Sequence, residues 1–588
     1  MKYPTTHFLQ LLKCSIMKKH TFFNRSMAIA ALLVSTIALH AQVKYVPLKP
    51  MSQVVSTSLK PVRTSDAITL PTITWGGDIA TVYAEINGIF KQNGLNFTLR
   101  NEDNFKDQVQ RCISGETPYL RGTKGMIKMA SDAFKAAGIE LVEIYQISYS
   151  NGDDAVVFRP GKNITNSKNV ALQLYGPHMD YAANLFTSAK RSLVDINFKY
   201  LEELTLNDNG TNNNPVEAFV ADPTLDAVFC IIPDALNLTS GGKTGTGSEG
   251  SVKGATIGLT TKSANRIIAD VYAVRKDYFD ANKNEIQKLT LSLMQAEEGL
   301  RDLLKNKASR MGEYNKLISR SSELFFGTPT ATKDVEPLLE GGCEFAGHAG
   351  NVSFFVGQGT TRNQKIIDAE IQKAFITMGV LTSATNVPNA NWDYNAFVPD
   401  LKYAKAGTTT ATPRFDEKKV SQVVENKIKA EAATWESEGT LFSVEIYFQP
   451  NQEDFTVANY AGDFKEALKL AQTYGGAIVV IEGHSDRGGV LKARQAGASS
   501  QEVAQIEQVA KNLSRDRAEN VKKSFLAYCK QSGITFDASQ ITVVGRGIES
   551  PKYAQPRTQE EWKQNFRVVF RVKQLESESI SFDPSIYK

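Results

Sequence analysis

Ala477-Ile478-Val479-Val480-Ile481-Glu482-Gly483-His484-Ser485-Asp486-Arg487-Gly488-Gly489 reads as a strand that runs into a loop. Its apolar run is dominated by β-branched residues, which suits a strand covered on both faces. Gly483 and the Gly488-Gly489 pair break the run. Working outward, Phe442-Ser443-Val444-Glu445-Ile446-Tyr447-Phe448 is a second strand, and Phe464, Leu468 and Ala471 recur at helical spacing between the two. Downstream, Val503, Ile506, Val509, Leu513, Val521 and Phe525 are expected on one side of a long helix. Ile541-Thr542-Val543-Val544 and Phe566-Arg567-Val568-Val569-Phe570-Arg571-Val572 are the last strands. The order over residues 441–574 is β-α-β-α-β-β, an α+β unit.

Four motifs in this stretch carry a resemblance. They are Gly483-His484-Ser485-Asp486-Arg487-Gly488-Gly489, Leu513-Ser514-Arg515-Asp516-Arg517-Ala518, Gly545-Arg546-Gly547-Ile548-Glu549-Ser550-Pro551 and Asn565-Phe566-Arg567-Val568. In this order they resemble the OmpA-like peptidoglycan-binding domain. The resemblance implies binding of the peptidoglycan stem peptide, chiefly its diaminopimelate, with Asp486, Arg517, Gly488 and Arg567 as site residues. The chemistry fits those residue types. The diaminopimelate end carries an ammonium and a carboxylate. Asp486 can accept from the ammonium, Arg517 can form a bidentate fork with the carboxylate, and backbone N–H groups near Gly488 can add donors. Three departures stand out. Residues 493–508 lengthen the stretch between the Asp and Arg motifs, the family's Asn before the Leu-Ser pair has no clear match, and Phe566 replaces the first Arg of the last motif. A structural Asp–Arg pair without cell-wall binding is the alternative reading.

The longer N-terminal part, residues 66–405, alternates β-branched runs with helical patterns, which is the α/β signature. Ile73-Thr74-Trp75-Gly76-Gly77-Asp78 starts as a strand and stops at glycines. Gly88-Ile89-Phe90-Lys91-Gln92-Asn93-Gly94-Leu95 ends a helix and turns into a strand. Tyr175-Gly176-Pro177-His178-Met179-Asp180-Tyr181, Asp226-Ala227-Val228-Phe229 with Pro233, and Val271-Tyr272-Ala273-Val274-Arg275-Lys276-Asp277-Tyr278-Phe279 follow in order. Together they resemble extracytoplasmic solute-binding proteins of ABC transporters, in the nitrate, sulfonate, taurine and thiamine-precursor group. That implies a two-lobed periplasmic binding protein fold of type II, closing over a small solute. In such a fold the solute sits at helix N-termini. The candidate solute-binding residues are Trp75 and Asp78 in one loop, Thr123 in a turn, and Gly176 and His178 at a helix start. Each has a plainer reading: Trp75 as packed core, Asp78 as a helix cap, His178 as a surface residue.

Residues 1–41 hold Lys2, Lys13, Lys18, Lys19 and Arg25 and no acidic residue, followed by an apolar run from Met27 to Leu39. This reads as a signal peptide cleaved after Ala41, with an uncleaved anchor helix as the alternative. The whole chain of 588 residues has a formal net charge of +4, and without those five basic residues it stands at −1. A near-neutral chain gives no electrostatic reason to expect nucleic-acid binding. Residues 42–65 read as a linker, 406–440 as a hinge and connecting helix, and 575–588 as a tail. Cys112, Cys230, Cys343 and Cys529 are widely separated and read as packed thiols. Cys343, Glu344 and His348 are too few for a metal site, and no nucleophile elbow, phosphate loop or zinc-protease motif occurs. No catalytic residue, metal or cofactor is expected. The expectation is a periplasmic, wall-associated binding protein whose partners are peptidoglycan, an unidentified small molecule and an envelope membrane protein. The alternative is a structural or stator-like component whose bilobal part is an interaction platform.

Overall fold

β-branched runs become strands wherever a second element covers them, and this decides the layout of the computed structural model. It describes residues 43–63, 67–205, 213–248, 250–404, 414–437, 439–449 and 455–575. The signal segment, the hinge at 405–413 and all but the first residue of the tail lie outside these. In chain order the strands are β1 (Ile68–Thr72), β2 (Phe97–Asn101), β3 (Tyr119–Thr123), β4 (Leu141–Ser150), β5 (Asp154–Phe158), β6 (Asn169–Gln173), β7 (Asn197–Leu201), β8 (Ala227–Ile231), β9 (Thr256–Thr260), β10 (Ala269–Arg275), β11 (Cys343–Phe345), β12 (Thr440–Tyr447), β13 (Ile478–His484), β14 (Ile541–Gly547) and β15 (Arg567–Lys573). The fold is mixed α/β.

Two sheets build the N-terminal part. One has the order β11-β4-β10-β3 and is antiparallel, with β1 and β2 pairing in parallel as a separate ribbon. The other has the order β7-β6-β8-β5-β9. The chain crosses between the two sheets twice, from β4 to β5 and from β9 to β10. The crossings are stitched together: Ser150 Oγ lies 2.8 Å from Thr261 Oγ1, and the Asp154 N–H donates to the same Thr261 oxygen. Each lobe is thus assembled from stretches distant in sequence. Helices Lys124–Ala136 and His178–Ser188 begin near these crossings.

The C-terminal sheet has the order β12-β15-β13-β14, with β13 and β14 parallel and the other pairs antiparallel. Helix Ala461–Thr473 follows β12, and helices Gly488–Gln495 and Ser500–Gln531 follow β13. The lengthened stretch therefore supplies the end of a short helix and the first turns of a long one. Ser499 and Glu502 form a capping box there, satisfying N–H groups that the helix itself cannot. Val509 departs from the expected face: it is 65% exposed. It sits six residues from the buried Val503, some 240° round the helix at about 100° per residue. Helix Glu417–Ala430, read as a connector, lays Val420, Val424 and Ile428 against Ile478, Val480 and Val544, so it forms one layer of the C-terminal sheet's packing. Cys112, Cys230, Cys343 and Cys529 are buried free thiols.

Candidate functional site

In the N-terminal part, the residues expected to meet a solute are each engaged by other residues of the protein, and a chain through Ser148, Asp270 and Arg121 links Trp75 to Asp78. Trp75 Nε1 donates to Ser148 Oγ at 3.0 Å, and Ser148 Oγ donates to Asp270 Oδ2 at 3.0 Å. Arg121 lies between Asp270 and Asp78, with its Nη1 2.9 Å from Asp270 Oδ1 and its Nη2 2.6 Å from Asp78 Oδ2. Burial pushes the pKa of both carboxyls up, against the pull of Arg121. Asp78 opens helix Asp78–Ile86 but makes no cap bond; it is a buried ion-pair partner. Thr123 caps helix Lys124–Ala136, accepting from the Met126 N–H. His178 is buried, not a surface residue, and its Nε2 lies 2.7 Å from Asp154 Oδ1. Gly176 packs against Gln173, whose Oε1 would lie 2.1 Å from an added Cβ.

Asp180 was not among the expected site residues. Its carboxyl covers Gly125, in the first turn of helix Lys124–Ala136, where an added Cβ would lie 2.7 Å from Asp180 Cγ. Burial pushes its pKa up to about 8, although a helix start favours negative charge, and the neighbouring Asp270 and Asp154 add to the rise. Asp78 and Asp270 thus share the Arg121 guanidinium, Asp154 meets the His178 imidazole, and Asp180 lies close enough to Asp154 and Asp270 to feel their charge. Asp180 stands within Tyr175–Tyr181, but nothing in that stretch shows which helix start it would cover.

In the C-terminal part, Asp486 sits in the loop after β13. Its Oδ1 accepts from Trp562 Nε1 at 2.8 Å and from the Gly488 N–H at 2.5 Å, and its Oδ2 accepts from Asn565 Nδ2 at 2.8 Å. All three donors are neutral. Among the described residues no Lys, Arg or His makes an ion pair with it. Gly488 is required for space, since an added Cβ would lie 2.6 Å from Asp486 Oδ1. Arg517 is buried between two rings, its Cζ 5.4 Å from the Phe448 centroid and 5.3 Å from that of Phe566. Phe566 in turn meets Trp562 edge to face. One aromatic contact thus joins the surroundings of Asp486 and Arg517. Arg567 is buried, pairs with Glu445 at 3.2 Å and donates to Ser550 O at 3.3 Å. His484 is kept neutral by burial and by Arg567, Arg546 and Arg571 around it. Asn565 belongs to a motif legible in the sequence, whereas Trp562 and Phe448 carry no such signal.

The Cys343, Glu344 and His348 trio is held by internal bonds. Glu344 pairs with Arg266, and His348 Nε2 lies 2.8 Å from Tyr394 O. No group that could hold a metal ion occurs among the described residues, and none of their helices is long and apolar enough to cross a membrane.

No protein-family model matches the chain, and no curated protein matches it. Solved structures similar to it include the alkanesulfonate-binding protein SsuA from Xanthomonas axonopodis pv. citri bound to MOPS. It is 14% identical over 55% of this chain and 98% of its own, with a TM-score of 0.37. The periplasmic aliphatic sulphonate-binding protein SsuA from Escherichia coli is 14% identical over 55% and 96%, with a TM-score of 0.38. The periplasmic nitrate-binding protein NrtA from Synechocystis PCC 6803 is 15% identical over 58% and 86%, with a TM-score of 0.35. Scores of this size carry neither a fold nor a function over to this chain.

Proposed function

We propose that this chain is an exported cell-envelope binding protein, held on peptidoglycan by its C-terminal part and taking a small solute in its two-lobed N-terminal part. The observation that carries the reading is the Asp486 carboxylate, oriented by three neutral donors with no basic partner among the described residues. A carboxylate aligned in this way is ready for an ammonium, and Arg517, fixed between Phe448 and Phe566, supplies the matching guanidinium for a carboxylate. A diaminopimelate end presents both groups. For the solute, Asp78 and Asp270 share the single guanidinium of Arg121, which favours a molecule with a cationic group over the purely anionic sulfonates or nitrate, and admitting it requires the lobes to part. Sedimentation with purified diaminopimelate-type peptidoglycan tests the anchor. The parent chain is expected in the pellet. Asp486→Ala is expected to lose binding by roughly tenfold or more, the worth of a charged hydrogen bond. Arg517→Lys, which keeps the charge but not the fork, is expected to weaken it less. Equal sedimentation of parent and Asp486→Ala would remove the anchoring role.

A further inference from the structure

The C-terminal part packs on the place where the two lobes join. Gly475 and Gly476, just before β13, lie directly on the return crossing between β9 and β10. An added Cβ at Gly476 would lie 1.9 Å from Lys262 O, and one at Gly475 would lie 2.7 Å from Asn265 Oδ1. The Gly476 N–H donates to Ser263 O at 3.1 Å. Thr361 N–H donates to Gln472 Oε1 at 2.7 Å, and Lys469 pairs with Glu370 at 3.0 Å. Beside this contact is a cavity of about 380 Å³. Its wall is shared: Tyr149 at the end of β4 and Arg266 come from the crossings, Arg362 from the segment before helix Gln364–Met378, and Arg414, Phe536 and Asp537 from the C-terminal side.

The charge of this cavity is lopsided. Its wall holds Arg266, Arg362 and Arg414 with Glu344 and Asp537, three cations against two carboxylates, and Arg362 also pairs with Glu370, which does not line the cavity. Arg266 is held by a fork to Glu344 and lies over the Tyr149 ring, its Cζ 4.9 Å from the centroid. Arg414 Nε lies 3.5 Å from Asp537 Oδ2, its one ion pair among the described residues. Burial and the facing Arg266 charge lower its pKa, against the pull of Glu344 and Asp537. Arg362 is 3% exposed, and its Nε finds no hydrogen-bond acceptor among the described residues. The remaining wall includes Phe354 and Phe536. Guanidiniums and aromatic rings in one wall match an organic acid: a carboxylate on an apolar body.

We infer that this junction cavity binds a small organic carboxylate, which pins the C-terminal part against the crossing between the lobes. The inference is independent of the solute and peptidoglycan readings, because none of its residues belongs to either site. The test is isothermal titration of the full chain with phthalate and with benzoate, with inorganic phosphate as an anion lacking an apolar body. Saturable binding of at least one aromatic acid at millimolar or lower concentration is expected, with phosphate weaker. Arg414→Gln is expected to weaken it by roughly tenfold. Ser353→Trp, which fills the cavity without changing its charge, is expected to abolish it, and Asp486→Ala to leave it unchanged. Circular dichroism identifies a variant that fails to fold, and the other variant then decides. Three results each overturn the inference: no saturable heat with either acid, equal affinity in the parent and both variants, or phosphate binding as tightly as the acids.

Discussion

Asp180 shows how far a single residue can depart from its sequence context. At a helix start an aspartate normally stays ionised. Here burial outweighs the helix dipole, and the carboxyl is held protonated up to about pH 8. Its folded pKa lies above the ordinary 3.8, so its contribution to stability is complete below about pH 4 and is lost as pH rises to about 8. The slope it adds is at most roughly 1.4 kcal/mol per pH unit. Asp180→Asn keeps the shape and removes the titration. Chemical denaturation across this window is expected to show the variant gaining stability on the parent as pH rises. A constant difference across the window would mean that Asp180 is ionised in the folded chain. Burial of Asp78 and Asp270 tilts stability in the same direction, so a slope remains in the variant.

Among the elements, β13 and helix Ser500–Gln531 depend on a backbone approach that only glycine permits. A Cβ on Gly483 would lie 1.7 Å from Ser514 O. Gly483→Ala is therefore expected to push the helix off the sheet and to destabilise the C-terminal part by about 1–3 kcal/mol, the usual cost of overpacking. Its urea midpoint should fall accordingly, while Gly462→Ala, with nothing near the added Cβ, should be nearly silent. Much at this scale is legible in the sequence. The β-branched runs, the breaks at glycine and the apolar spacing of helix Ala461–Thr473 all lie in short windows. Helix Glu417–Ala430 was less legible, because a charged amphipathic helix reads the same whether it links two parts or covers a sheet.

For the whole molecule, the decisive contact is Gly475-Gly476 on residues 262–265. If it holds the two parts together, they unfold as one unit. Gly476→Val places side-chain atoms against the Lys262 carbonyl and is expected to split one calorimetric transition into two. A single, merely lowered transition in the variant would show that other contacts, such as Lys469 with Glu370, suffice. A tether between flexible modules and a clamp on the lobe crossing predict different motions. A gripped crossing resists the opening that a solute in the N-terminal part requires.

The sequence alone determined the alternation of strands and helices, the glycine breaks and the positions of Asp486, Arg517 and Asn565 within ordered motifs. Each depends on neighbours a few residues away, through side-chain periodicity and backbone freedom. Only the tertiary structure decided which charges meet. Asp78, Arg121 and Asp270 come from a helix and two strands far apart in the chain, and their ion pairs exist because the fold removes all three from water together. Trp562 could not be assigned to Asp486, nor Asp180 to Gly125, because no local pattern specifies a partner 76 residues away or a helix start in the other lobe. The junction cavity follows the same logic. Its arginines acquire a shared site only once the C-terminal sheet has docked, since burial and mutual repulsion are properties of packing, not of composition.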